Sequence, residues 1–183
     1  MAGDRFYELR DLAAKGREDG RSFDHFVNMV GDIETGGTMY AKLGFRVMPV
    51  MEHLKIGSSN ICIQFDHTYI ELIGDIDHSN DSKFKTLFDI WKAGGDYVYW
   101  QTSVTSDRLE DESERLAALG YEPEEILEAA RRVRKIGGGW DETQSRSRYT
   151  LNEDHVTGSI FMSDHPKPEA IWMPGYPVHP NTT

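Results

Sequence analysis

The order of hydrophobic and polar positions between residues 23 and 75 predicts a strand, a helix and then three more strands. Phe23–Val30 is an apolar, β-branched run typical of a buried strand. Asp32 is a suitable N-cap for the helix that follows, and Gly44 stands in its C′ position. The next three predicted strands are Phe45–Met51, Asn60–Phe65 and Tyr69–Ile73, with the last two joined by a hairpin turn.

Two polar residues interrupt this apolar pattern. Glu71 lies between Ile70 and Leu72, and successive side chains of a strand point to opposite faces, so Glu71 must face away from both. A buried carboxylate without a partner is costly, so we interpret Glu71 as functional, with a solvated sheet face as the alternative. His25 in the first strand is the second candidate, and its alternative is a core histidine bonded to a neighbouring carbonyl.

The same pattern recurs further along the chain. With a shift of 76 residues, Leu109, Gly120 and Tyr121 fall on Ile33, Gly44 and Phe45 without a gap. This internal repeat predicts a second module of the same kind. Under the same shift, Gln101 falls on His25, inside a second predicted strand.

The remaining segments complete the predicted organisation. We predict an N-terminal helix and linker over residues 1–21, a first module over 22–76, a linking helix over 77–95, a second module over 96–165 and an extended tail over 166–183. Residues 123–136 predict an inserted helix with acidic residues in its first turn and four basic residues, including Arg131, near its end. That charge order complements the helix dipole. A basic patch that steers an anionic substrate is the second interpretation.

Composition excludes several classes of function. The chain has 38% hydrophobic and 28% charged residues, as folded globular domains do. Its net charge of −11 argues against binding to nucleic acid or to an anionic membrane. No apolar run approaches the ~20 residues of a membrane span, and the N-terminus lacks a secretory h-region. The single Cys62 fits a reducing compartment, so we expect a cytoplasmic protein.

Two βαβββ copies, with a histidine early in the first strand and a glutamate in the fourth, resemble the vicinal oxygen chelate superfamily, or glyoxalase/bleomycin-resistance/extradiol dioxygenase fold. Within it, the opening Asp24-His25 and the closing His179-Pro180-Asn181 are similar to the glyoxalase-like domain family. The resemblance covers most of residues 23–183. It implies an α+β fold in which two paired βαβββ modules form a curled mixed sheet around a cleft.

The resemblance also implies a divalent metal in the cleft that chelates two neighbouring oxygens of a small oxygenated organic substrate. Imidazole and carboxylate ligands suit Zn, Fe, Mn, Ni or Co. Carried over by position, His25, Glu71 and Gln101 are the expected metal ligands, and Glu71 is also the expected catalytic base. Ser159 or a near neighbour stands in the fourth ligand position, where the family has His or Glu.

Further residues are candidates for substrate binding. Tyr99 and Gln101 would line the pocket, and Trp140 would form a lid over it. His179 would enter the cleft or complete a site across a dimer interface, or simply form a turn before Pro180. His53 and His165 are interpreted as loop residues.

We therefore predict a homodimeric, metal-dependent lyase, isomerase or ring-cleaving dioxygenase. The alternative is a metal-free protein that sequesters an aromatic or drug-like ligand. A third interpretation is that these residues are one part of a longer enzyme.

Overall fold

The computed structural model describes residues 22–54, 57–74, 97–118, 120–122, 124–150 and 159–182. The strands are β1 (Phe23–Val30), β2 (Met51–Glu52), β3 (Ser59–Gln64), β4 (Tyr69–Gly74), β5 (Tyr97–Thr105), β6 (Leu127–Ala129), β7 (Arg132–Arg134), β8 (Trp140–Glu142), β9 (Ser145–Tyr149) and β10 (Ser159–Asp164). The helices are α1 (Ile33–Lys42), α2 (Leu109–Ala118) and α3 (Pro168–Ile171), with a 3₁₀ turn over Pro180–Thr182. The helices predicted within residues 1–21 and 77–95 lie outside the described residues. None of the described helices has the length and apolar character needed to cross a membrane.

Eight strands form one curled sheet in the order β2-β3-β4-β1-β5-β10-β9-β6, and β7 and β8 form a separate ribbon. Each half of the sheet contains one parallel pair, β1 with β4 and β5 with β10. The antiparallel pair of β1 and β5 joins the two halves at the centre. The predicted α+β fold of two paired βαβββ modules is therefore confirmed.

The internal repeat is visible in the helices. Ile33 and Leu109, which begin α1 and α2, are separated by the predicted 76 positions, and both helices contain 10 residues. The side chain of Asp32 accepts a hydrogen bond from the Thr35 N–H at 2.6 Å, which confirms it as the N-cap of α1. Each helix is followed by a glycine with φ +86°. One sequence pattern therefore gives the same local structure twice.

The predicted inserted helix over residues 123–136 is wrong. This segment instead forms β6, which pairs with β9, and β7, which pairs with β8. Val133 is buried between the exposed Arg132 and Arg134, the alternation of a strand. The segment is rich in good helix formers, but the edge of β9 offers unpaired backbone groups, and pairing with that edge prevails because helical propensity is a weak preference that tertiary contacts override. The glycine run after this segment, Gly137 to Gly139, forms the turn between β7 and β8.

Two other predicted elements also differ. The strand predicted over Phe45–Met51 is reduced to β2, because the residues before it make isolated contacts, such as the Met48 N–H to the Cys62 carbonyl at 3.0 Å, in place of a ladder. The tail predicted to be extended contains α3 and the final 3₁₀ turn. A proline at the start of α3 is compatible with its first turn, where no intrahelical N–H bond is needed.

The segment around Arg131 also joins the two edges of the sheet. His53 follows β2, and it forms an isolated antiparallel bridge with Arg131, which lies between β6 and β7. Beside it, the Leu54 N–H donates to the Ala130 carbonyl at 3.1 Å. Because β2 and β6 are the edge strands, these contacts connect the far ends of the curled sheet across its opening.

The paired glycines provide a matched test of the tail contact. A Cβ on Gly44 would lie 2.7 Å from the Asn181 Cβ, whereas Gly120 has no described atom within 4 Å. We expect Gly120→Ala to lower the free energy of unfolding by about 1 kcal/mol through its positive φ alone. Gly44→Ala should cost about 1 kcal/mol more because the tail must shift. Urea unfolding of both variants measures this, and equal costs would contradict the contact with Asn181.

Candidate metal centre

The inner face of the curled sheet lines a cleft of about 790 Å³, part of which is open to solvent. Three imidazoles, one carboxylate, one guanidinium and four aromatic rings face it: His25, His53, His165, Glu71, Arg131, Tyr69, Trp100, Tyr149 and Phe161. Clefts that bring several titratable groups together are common functional sites.

His25 and Glu71 meet in this cleft from adjacent strands. In the parallel pair of β1 and β4, Val27 lies opposite Glu71, so their side chains share one face of the sheet. His25 is two residues before Val27, and its side chain is therefore on that same face. His25 Nε2 lies 3.5 Å from Glu71 Oε2, and both residues are buried. Two ligands of a tetrahedral ion, each bound at 2.0–2.2 Å, are about 3.4 Å apart. The spacing therefore suits a cation held between these two atoms.

Asp24 fixes the orientation of His25. Its carboxylate is fully buried, contacts His25 Nδ1, and lies 3.0 Å from His165 Nε2. Burial raises the pKa of Asp24, but the hydrogen bonds from the two histidines outweigh it and hold the pKa well below its usual range. An ionised carboxylate only accepts hydrogen bonds, so both contacting nitrogens carry protons. A proton on Nδ1 leaves Nε2, the atom that faces Glu71, as the nitrogen of His25 that can bind a metal ion.

A β-bulge explains how neighbouring residues of one strand can both point inward. The pairing of β1 with β5 shifts register between Phe23 and His25, which leaves Asp24 as the extra residue. A bulge places successive side chains on the same side of the strand. Asp24 belongs to the opening dipeptide on which the resemblance rests, yet the sequence alone gave it no role.

The second oxygen of Glu71 is also engaged. The Asn60 amide donates to Oε1, and His53 Nε2 lies 3.6 Å from the same atom. Burial raises the pKa of Glu71, but electrostatic interactions with His25, His53 and Arg131 and the hydrogen bond from Asn60 lower it overall. Glu71 is thus held in its ionised form with a fixed orientation.

His53 and His165 lie outside the strands and helices, as interpreted from the sequence, and both nevertheless line the cleft. His53 Nδ1 lies 2.8 Å from the Ser58 hydroxyl, and its side chain, which is 11% exposed, lines the cleft. Burial lowers the pKa of His53 to about 4, with the charge of Arg131 adding to the effect and Glu71 opposing it. His165 contacts Asp24 through Nε2, and its Nδ1 lies 3.3 Å from the Ser145 hydroxyl.

Gln101 is brought to the site, whereas two of the other predicted residues are not. Gln101 is buried opposite Val27 and lines the cleft beside His25. Tyr99 is 40% exposed outside the cleft, with its hydroxyl bonded to Thr102. Trp140 is 58% exposed beneath the guanidinium of Arg132, so it does not cover the cleft.

His179 is also outside the cleft. Its ring is buried, with Nδ1 accepting from the Arg46 N–H at 2.9 Å and Nε2 donating to the Gln64 carbonyl at 2.6 Å. Both nitrogens are thus engaged by backbone groups. The ring attaches the C-terminal segment to the first module.

Strand register identifies the residue in the fourth ligand position. Glu71 lies opposite Val27 in the first module, and the 76-residue shift relates Val27 to Ser103 in the second. Ser103 lies opposite Phe161, so Phe161 rather than Ser159 corresponds to Glu71. Its ring stacks on Tyr149 with centroids 4.7 Å apart. An aromatic ring cannot ligate a divalent metal through a lone pair, so this position offers a stacking surface.

Paired βαβββ modules around a cleft, with an inward-facing histidine and glutamate, define the architecture of the vicinal oxygen chelate superfamily. Within it, the profile of the glyoxalase-like domain family matches residues 23–183, and the chain belongs to that family. No curated protein sequence matches the chain significantly.

Solved structures support the fold. A hypothetical protein from Staphylococcus aureus has a TM-score of 0.61 at 13% identity, over 80% of this chain and 60% of that one, so the match spans less than two thirds of its length. Methylmalonyl-CoA epimerase from Mycobacterium tuberculosis has a TM-score of 0.51 at 15% identity, over 76% of this chain and 86% of that one. A hypothetical protein from Bacillus halodurans has a TM-score of 0.51 at 14% identity, over 78% and 94%.

The buried imidazole of His53 predicts a pH dependence of stability. The unfolded chain takes up this proton near pH 6.5, and the folded protein only near pH 4. Between these values the unfolded chain binds more protons, so the free energy of unfolding falls as the pH is lowered. We expect His53→Gln to reduce this fall by about 1 kcal/mol per pH unit.

Urea unfolding of chelator-treated protein between pH 7 and pH 4.5 measures the effect. His67→Gln is the matched control, because His67 is exposed in a hairpin turn and should leave the wild-type slope unchanged. A His53→Gln variant with the wild-type slope would contradict the burial of a neutral imidazole.

Proposed function

We propose that this protein is a metal-dependent enzyme of the vicinal oxygen chelate type that acts on a small oxygenated organic substrate as a lyase, isomerase or dioxygenase. One observation carries the proposal: His25 Nε2 and Glu71 Oε2 face each other at 3.5 Å in a cleft. The buried Asp24 behind His25 is the type of partner that metal-binding histidines have. The homodimer and the cytoplasmic location expected from the sequence stay predictions.

Three side chains are suited to hold the ion. His25 offers an imidazole nitrogen, Glu71 a carboxylate oxygen and Gln101 an amide oxygen, a donor set compatible with Zn, Fe, Mn, Ni or Co. A divalent ion bound there would polarise the substrate oxygens that contact it. Because the pKa of Glu71 is lowered and Asn60 engages its second oxygen, Glu71 suits the role of ligand better than that of base.

His165 is the better candidate for proton transfer. Its Nε2 proton is directed at Asp24, which leaves the lone pair on Nδ1. That atom lies 3.3 Å from the Ser145 hydroxyl at the cleft. The lone pair on Nδ1 would accept a proton from a substrate placed there, while Asp24 stabilises the resulting imidazolium. Burial raises the pKa of Tyr69 and Tyr149, so these phenols stay protonated and can donate hydrogen bonds.

A metal-free binding protein is the second candidate. It is favoured by Phe161 in the fourth ligand position and by its stacking on Tyr149, which together provide an aromatic wall for a flat ligand. The two candidates differ in one measurable property, the metal content of the purified protein.

We expect elemental analysis of protein purified without chelators to find about one transition metal ion per chain. His25→Ala and Glu71→Ala should each remove most of it, because each deletes one of the proposed ligands. His67→Ala, a change in an exposed turn, is the matched control and should retain the metal. A wild-type protein without metal, even after reconstitution, would refute the enzyme proposal and leave the binding protein standing.

Removal of the carboxylate behind His25 should weaken metal binding without removing a ligand. We expect Asp24→Asn to lower the affinity for Zn²⁺ by roughly 10- to 100-fold, since the imidazole loses its fixed tautomer. Calorimetric titration of the metal-free protein measures this, with Asp66→Asn in the exposed turn as control. Thermal unfolding verifies that the variant is folded, and an unchanged affinity in a folded variant would show that Asp24 does not orient His25.

A further inference from the structure

We infer that Arg131 makes the cleft selective for an anionic ligand that carries a carboxylate group. The inference concerns the same cleft as the proposed function, and it rests on that function in calling the ligand a substrate and in the charge that a bound cation would add. The anion preference itself depends on the surroundings of Arg131.

The guanidinium of Arg131 is buried in the wall of the cleft. The residue is 5% exposed and lines the same space as His25 and Glu71. Its backbone is held firmly: the N–H donates to the Thr143 hydroxyl at 3.1 Å, and the carbonyl accepts from the Thr143 N–H at 2.9 Å. The bridge to His53 fixes it from the other side. These contacts fix the backbone from which the Arg131 side chain extends into the wall of the cleft.

The hydrogen-bonding capacity of this guanidinium is largely unused. Nη1 donates to Cys62 Sγ at 3.0 Å, and burial raises the pKa of this thiol to about 11, so the sulfur is a weak, neutral acceptor. Within the described part of the chain, no carboxylate lies within salt-bridge distance of Arg131. A guanidinium has five donors, and a buried charge requires acceptors for them.

The second buried arginine shows the contrast. Arg148 donates from Nε to the Leu109 carbonyl at 2.8 Å and from Nη1 to the Glu124 carbonyl at 2.6 Å. Arg148 therefore has a structural role that its contacts explain. Arg131 has a similar degree of burial, no oxygen acceptor among the described residues is recorded for its side chain, and the space it faces is the cleft.

With the proposed cation bound, the charge count of the site favours a monoanion, whereas without it the preference rests on the guanidinium alone. Among the carboxylates and the guanidinium, Asp24 and Glu71 contribute −2 and Arg131 contributes +1. A divalent cation between His25 and Glu71 would change the total from −1 to +1. One carboxylate restores neutrality, and its two oxygens match the planar fork of a guanidinium.

The test compares carboxylates with neutral isosteres of the same shape. The affinities of benzoate and benzamide, and of pyruvate and pyruvamide, are measured by calorimetry or ligand-observed NMR. Each compound is titrated into chelator-treated protein and into Zn²⁺-treated protein. We expect each carboxylate to bind at least tenfold more tightly than its amide, and the difference to be larger after Zn²⁺ treatment.

Three variants locate the effect. Arg131→Met should abolish the preference, and Arg131→Lys should retain part of it, because an ammonium keeps the charge but not the fork. Arg132→Met is the matched control, since its exposed side chain lies over Trp140 rather than in the cleft. Far-UV circular dichroism and thermal unfolding verify the fold, and Arg131→Lys preserves the test if Arg131→Met does not fold.

Equal binding of acid and amide in the wild type, including no binding of either, would overturn the inference, as would a preference that survives in a folded Arg131 variant. Inorganic phosphate bound more tightly than both carboxylates would overturn the assignment of a carboxylate. A protein that takes up no metal but keeps an Arg131-dependent preference would refute the proposed enzyme and support this inference.

Discussion

The hydrogen-bond registers of β1 determine the site. This central strand pairs in parallel with β4 and antiparallel with β5, and these two registers place His25, Glu71 and Gln101 on one face of the sheet. A slip of one residue in either pairing would turn a ligand candidate to the opposite face, into the apolar cluster that contains Leu72 and Ile61. The packing of α1 against that cluster therefore maintains the cleft as well as the core.

The cleft concentrates buried charge, and most of this charge is compensated in place. Asp24 is held by two imidazoles, and Glu71 by the Asn60 amide and its histidine neighbours. Burial of such charged groups is costly unless their hydrogen bonds are formed. Once formed, these hydrogen bonds keep the side chains oriented before a ligand binds. Arg131 differs in its hydrogen bonding: the charge of Glu71 acts on it, but the acceptor recorded for its side chain among the described residues is a thiol.

The segment from β6 to β7 and the C-terminal tail complete the cleft. The residues around β6 and β7 close the opening of the sheet and bring Arg131 beside His53. The tail packs against the first module through His179, and Ile171 of α3 lines the cleft. The family motif at the C-terminus thus acts through packing, because its histidine is bonded to the backbone rather than directed at the site.

The sequence by itself determined the elements whose signals are local. The apolar run of β1, the N-cap Asp32 and the repeated glycines depend on neighbouring residues, and they predicted two βαβββ modules and an inward-facing Glu71. Only the tertiary structure decided the rest. Leu127–Ala129 and Arg132–Arg134 became strands because partners distant in the sequence were available for pairing. His53, His165 and Arg131 reached the cleft through contacts between residues far apart in the chain. The hydrophobic periodicity of the sequence indicates which face of its own strand or helix a side chain occupies. The positions of these cleft residues depend instead on which distant segments pair when the chain folds.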